Sequence, residues 1–360
     1  MNKQNPELAP KLSAAVATAV FAAFPAVATA QDWATPAYCE APPRPIQAAS
    51  FAPYDMAAIE QAASAIPNST GRFWKVETPD GTTSHLWGTF HVSSREILDL
   101  PDVVKSEIAN ARAVALEIDF TFPDRTSFLM QYDLPGRYRD PGDPFAGQDP
   151  LDLGFLSPEA EGWVYDRLYG YGTFDDALYV LTYGGLAELL LSDPCEDFTS
   201  GTLPVQDDFI HTLGHVAGAS IIGLEEPGAF LTAMSEDEET AKAIVTVYAS
   251  YLEPPTSPVE RSTALQLYLE GRLGLLAAWD AAHLDRVFGA DGRQALTRTN
   301  AYLLDDRNER FFEELVPELN AGGVFVAVGA AHLPGANGLV AMLRRSGYTV
   351  TRISLPGEAE

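Results

Sequence analysis

Apolar residues along the chain fall into two regimes. Short continuous runs alternate with longer stretches in which apolar positions recur every three or four residues, the pattern of buried strands set between amphipathic helices. Val324 to Val328 is the clearest run, closed by Gly329-Ala330-Ala331 and then His332. It reads as a strand covered on both faces, and the small residues after it let the backbone turn tightly. Ala113 to Ile118 (AVALEI) and Ala219 to Leu224 (ASIIGL) are further strands. Arg72 to Thr78 alternates, Pro79-Asp80-Gly81 turns, and Thr82 to His91 returns, which predicts a hairpin. Tyr348 to Ser354 is a last strand. Helical spacing covers 54–66, 101–112, 157–169, 174–191 and 205–216, a block from about 230 to 282, a long helix over 293–315, and a short one over about 337–345. Residues 121–156 are rich in Pro, Gly and Asp without periodicity, and read as a long surface excursion and candidate lid. The fold class is therefore α/β: a mixed sheet core flanked by helices, with a helical insertion over about 155–218 and 235–285.

The strand ending at His332 has a counterpart. His85-Leu86-Trp87-Gly88-Thr89-Phe90-His91 repeats the phrase of apolar strand, glycine, two residues, histidine. Histidines at the carboxyl ends of strands sit where open α/β sheets place their ligands. Glu117, near the end of AVALEI, is a carboxylate in a buried strand, costly unless paired or bound to a metal. His91, Glu117 and His332 make a candidate metal set: neutral imidazoles and a carboxylate suit Zn, Mn, Fe or Co and leave room for water. The same residues also suit two hydrogen-bonded core histidines and a structural ion pair. Glu225 is another carboxylate at a strand end. His211 and His215 have i, i+4 spacing on a helix but lack the glutamate of a zincin helix. His85 points to the same face as His91 if the strand is regular, and His283 reads as a helix-surface residue. No G-x-S-x-G elbow, phosphate-binding loop or G-x-G-x-x-G is present.

The first thirty residues change the expected compartment. Lys3 and Lys11 precede an apolar, alanine-rich run, and Ala28-Thr29-Ala30 is a small-x-small cleavage site. This predicts a signal peptide over 1–30 and a periplasmic or secreted protein with no stable membrane insertion after cleavage. Residues 31–71 form a leader, and 72–355 the main domain. Two cysteines, Cys39 and Cys195, predict one disulfide in such a compartment. A net charge of −27 disfavours nucleic acid and anionic lipid as partners.

Together, HLWGTFHVS, ALEIDF, QDDFIHTLGHVAGASIIGLE, DDRNERF and VFVAVGAAHLPGANGLVAMLRRSGYTV resemble the TraB/GumN/PrgY family, related to the Tiki proteins and more distantly to erythromycin-esterase-like and ChaN-like proteins. The resemblance runs from about Trp74 to Ser354. It implies an α/β core with two Gly-x-x-His motifs and a metal-dependent hydrolase site, with peptidase activity in the Tiki branch. His91 and His332 match the motif histidines, Glu117 the early strand glutamate and Glu225 that of the Gly-Leu-Glu segment. Arg307-Asn308 match the Arg-Asn before the last motif, and Asp207 the acidic residue opening the preceding helix. Glu225 is then a candidate general base or further ligand, and Arg307 a candidate for steadying an oxyanion or a substrate carboxylate. The expectation is a periplasmic, peptidase-like hydrolase using a divalent metal (Mn, Co or Zn) on a peptide or small-molecule substrate. The alternative is a non-catalytic binding protein that uses the same pocket for a ligand or peptide signal.

Overall fold

The computed structural model describes residues 54–119, 121, 135–139, 149–170, 177–193, 195, 203–254 and 257–359. The expected signal peptide, Cys39 and most of the 121–156 excursion lie outside the described residues. Six strands form one sheet: β1 (Phe73–Glu77), β2 (Thr83–Thr89), β3 (Ala113–Ile118), β4 (Ser220–Glu225), β5 (Val324–Gly329) and β6 (Thr349–Arg352), in the order β4-β3-β5-β2-β1-β6. β2, β3, β4 and β5 are mutually parallel, while β1 runs antiparallel to both β2 and β6. The antiparallel pair follows from the short turn at Pro79–Gly81, where Gly81 takes φ 89° and donates its N–H to Thr78 O at 3.0 Å. Parallel neighbours need crossovers, and helices supply them.

β5 lies between β2 and β3, which explains its unbroken apolar run: all six of its residues are buried. Val324, Val326 and Val328 face one side, packing with Trp74, Leu86, Phe311, Leu315 and Leu319. Phe325 and Ala327 face the other, with Phe73, Trp87, Val104, Ile108 and Ile210. The helices Arg307–Ala321 and Leu339–Arg345 cover the first face, and Asp102–Asn110 and Gln206–Ala217 the second. A separate helical layer packs Leu178, Leu186, Ile244 and Val245 around its own core.

Several elements differ from the expectation for local reasons. The helix over 174–191 is two pieces, Ala177–Val180 and Tyr183–Leu191, because Thr182 caps the second by accepting from Gly185 N at 3.0 Å. The described end of the supposed surface excursion is not on the surface: Leu151, Leu153 and Leu156 are buried in the helical layer. β2 stops at Thr89, so strand alternation does not carry to His91. The long helix runs through three segments: Leu273–Asn300, interrupted at Gly289 (φ 58°), a π-helical stretch Ala301–Asp306, and Arg307–Ala321. No described helix is long and apolar enough to cross a membrane.

Phe325 is 1% exposed, with Phe73 at a ring distance of 6.3 Å. Phe325→Ala should lower the unfolding free energy by about 3–5 kcal/mol in urea denaturation, as large core truncations do; a change within ~0.5 kcal/mol would contradict a dry, packed centre.

Candidate metal centre

The parallel strands deliver their carboxyl ends to one edge of the sheet. His91 lies just past β2, Glu117 near the end of β3, Glu225 at the end of β4, and His332 in the 3-10 turn Ala330–His332 after β5. Two helices add the rest: Asp207 from the first turn of Gln206–Ala217, and Arg307 with Asn308 from the start of Arg307–Ala321. The π-helical stretch directly before Arg307 is a wider winding of the kind often found at functional sites.

Glu117 is at the centre and 8% exposed. Its Oε1 accepts from Gly329 N at 2.7 Å and lies 3.7 Å from His91 Nε2 and 3.5 Å from His332 Nε2. Its Oε2 accepts from Arg307 Nη2 at 2.7 Å. Burial opposes the charge on Glu117, but Arg307, His332 and His91 outweigh it and hold the carboxyl well below its usual range. Arg307 also grips Glu225 with two nitrogens, Nε at 3.2 Å from Oε2 and Nη2 against Oε1. The guanidinium is committed to two carboxylates.

The two histidines differ. His332 is 3% exposed, and burial pushes it down to about 4, so the ring is neutral. Asn308 Nδ2 donates to Asn337 O at 3.0 Å, which turns Asn308 Oδ1 toward His332 Nδ1 at 2.9 Å. The proton therefore sits on Nδ1, and Nε2 presents a lone pair toward Glu117. His91 has a half-exposed side chain, with Nε2 3.3 Å from Asp207 Oδ2. Burial lowers its pKa, but Asp207 and then Glu117 outweigh that and raise it to about 9.

The donors fit a cation. Among the described residues, one group of three or more His, Cys, Asp or Glu side chains converges within 4.8 Å, and it is His91, Glu117 and Asp207. Asp207 Oδ1 accepts from Thr89 Oγ1 at 2.9 Å, while Oδ2 is shielded from solvent and, among the described residues, has only the ion-pair contact with His91 Nε2 at 3.3 Å. A shielded carboxylate oxygen needs a cationic partner; protonated His91 supplies one, and a divalent ion bound between the two side chains would supply another. The glycines of the two motifs have different jobs. A Cβ on Gly88 would lie 2.7 Å from Leu333 Cδ1 and 2.9 Å from Ala330 Cα, so Gly88 lets the two strand ends meet. A Cβ on Gly329 would lie 3.2 Å from Glu117 Oε1 and 3.3 Å from His91 Nε2. Gly329 keeps a side chain out of the space between Glu117, His91 and His332.

The chain matches the model of the TraB/PrgY/gumN family over residues 72–144 and 182–352. The chain belongs to this family. No curated protein and no solved structure matches. Every TraB/PrgY/gumN-matched segment bears on the centre: His91 and Glu117 fall in the first, and Asp207, Glu225, Arg307, Asn308 and His332 in the second. The family-matched positions thus converge in space, although Asp207 replaces His332 in the tightest cluster. Its local signal, an acid in the first turn of a helix, equally suits the helix dipole and did not single it out as a ligand. Other histidines lie elsewhere. His85 pairs with Glu107 at 3.2 Å, away from the centre. His211 meets Asp119 at 3.4 Å while His215 is exposed, so the i, i+4 pair does not converge on one ion. His283, expected on a helix surface, is 1% exposed and pairs with Glu260 at 2.6 Å, because Tyr54 and Tyr251 cover the face that periodicity assigned to solvent.

Gly329→Ala should weaken binding of Mn²⁺ or Zn²⁺ about tenfold or more while leaving the circular dichroism spectrum unchanged, since the new methyl intrudes among the donors; undiminished affinity by titration calorimetry would refute that placement of the ion. His91 is protonated below about pH 9 in the metal-free protein. Ion binding at pH 7 should therefore release about one proton, and release should vanish as pH rises past 9. Calorimetry in buffers of different ionisation enthalpy reads this number.

Proposed function

We propose that the protein is a metal-dependent hydrolase, peptidase-like, acting in the periplasm after loss of residues 1–30. The observation that supports it most is the convergence of ligand atoms from His91, Glu117 and Asp207 within 4.8 Å of one another. These three side chains would hold a divalent cation, Mn, Co or Zn, with His332 Nε2 available at the buried side. A cation held there would supply Lewis-acid chemistry, polarising a carbonyl and lowering the pKa of water.

The remaining roles belong to this chain's own groups. Arg307 keeps Glu117 ionised and aimed, so it stays a ligand rather than a proton carrier. Asn308 fixes the His332 tautomer, which leaves Nε2 free to accept a proton or complete the ligand set. Glu225, the candidate base, is ion-paired with Arg307, and to accept a proton it would first have to loosen that pair. That pairing also favours a second reading: a non-catalytic protein that binds a ligand or peptide signal through the metal.

Metal analysis of purified wild-type protein beside His91→Ala, Asp207→Ala and His332→Ala separates these readings. The wild type should hold about one divalent ion, and His91→Ala and Asp207→Ala should lose most of it. Equal metal content in all four proteins would sink the shared centre. Cleavage of a peptide library with Mn²⁺, Co²⁺ or Zn²⁺, abolished in His91→Ala, supports the hydrolase; bound metal without turnover under all three ions leaves the binding protein.

A further inference from the structure

Gln206 precedes Asp207 at the start of the helix Gln206–Ala217 and is 1% exposed. A buried amide is tolerated only if its oxygen and its NH₂ both find partners. Here the oxygen is crowded. Oε1 accepts from Trp87 Nε1 at 3.1 Å, from Phe90 N at 3.3 Å and from Tyr268 Oη at 2.8 Å. Nε2 donates to Ile97 O at 2.5 Å. The amide cannot be turned over, because its NH₂ would then face three donors.

These partners are not a random part of the core. Trp87 and Phe90 flank Gly88 on the segment that ends at His91. The Tyr268 hydroxyl, whose single proton is shared, also lies 2.9 Å from Gly88 O, and its ring stacks on Phe90 at 4.8 Å. Ile97 anchors the far side of the same loop. One side chain therefore clamps the backbone on both sides of His91 to the residue beside Asp207. Thr89 Oγ1 adds the parallel bond to Asp207 itself.

We infer that Gln206 is a positioning residue of the metal centre, setting the separation between the His91 imidazole and the Asp207 carboxylate; this rests on the metal reading above. Among the described residues, Thr89 Oγ1 to Asp207 Oδ1 is the other hydrogen bond joining the His91 segment to this helix. A glutamate in its place, when ionised, could not donate to Ile97 O and would add charge beside Asp207. A methionine would fill the volume and make none of the bonds.

The test is Co²⁺ binding, read by the visible absorption of the bound ion, in wild type, Gln206→Met and Leu186→Ala. Leu186 is fully buried in the helical layer, so its variant reports what loss of stability alone does. Gln206→Met should bind Co²⁺ about 10–100-fold more weakly, with shifted absorption bands. Leu186→Ala should keep wild-type affinity and bands while unfolding at a lower temperature. If Gln206→Met does not fold, Tyr268→Phe removes one of the bonds to Oε1 and should weaken Co²⁺ binding about fivefold. Wild-type affinity and spectrum in the folded Gln206 variant, or in Tyr268→Phe where that variant fails, would overturn the positioning role while sparing the metal site. A wild-type protein that takes up no Co²⁺, Mn²⁺ or Zn²⁺ would overturn the metal reading and this role with it.

Discussion

The buried charge of Glu117 is the constraint on which the rest of the centre depends. A carboxylate on a central strand is stable only where its neighbours replace water. Gly329 N–H and Arg307 supply that replacement, one through backbone from β5 and one through a long side chain from the facing helix. Arg307 in turn is only partly exposed and needs anions of its own, and Glu225 at the end of β4 is the second. Removing one partner of a buried pair of this sort costs about 3–5 kcal/mol. The set β3–β4–β5 and the helix after the π-helical stretch are therefore tied by charge as well as by packing.

The same arrangement separates a closed side from an open side. On the closed side His332 is buried, neutral and oriented by Asn308. On the open side His91 is half exposed and flanked by carboxylates. Two histidines in the same Gly-x-x-His motif thus meet different surroundings and opposite shifts. The carboxylates beside His91 make the open side negative, and His332 presents a neutral nitrogen lone pair on the closed side.

Much of this could be read from the chain because it is local. The run Val324–Val328 announces a central strand, and each Gly-x-x-His sits where a strand must end and turn. Glu117 was legible because a carboxylate inside AVALEI conflicts with its surroundings. Asp207 was not singled out as a ligand, since its value depends on Thr89 and His91 arriving from another strand. The Arg307–Glu225 pair was hidden for the same reason: each residue has a plausible catalytic role alone, and only their contact shows that they are spent on each other. His283 was misread because periodicity describes one helix, whereas its burial depends on Tyr54, Glu260 and Tyr251 closing over it. The folded end of the 121–156 excursion was missed because three leucines spaced among prolines and aspartates carry no regular period.

The position of β5 has a bearing on the order of events in the life of the chain. It is made from residues near the carboxyl end, yet it occupies the gap between β2 and β3. Until residue 329 is available, those two strands have no common neighbour, Glu117 lacks its backbone donor, and His332 does not exist. A fragment ending at residue 217 would carry His91, Glu117 and Asp207 but not the strand that fixes their spacing. The spacing of the three side chains is therefore settled late, when the strand nearest the carboxyl end inserts between its neighbours, and not as each residue leaves the ribosome.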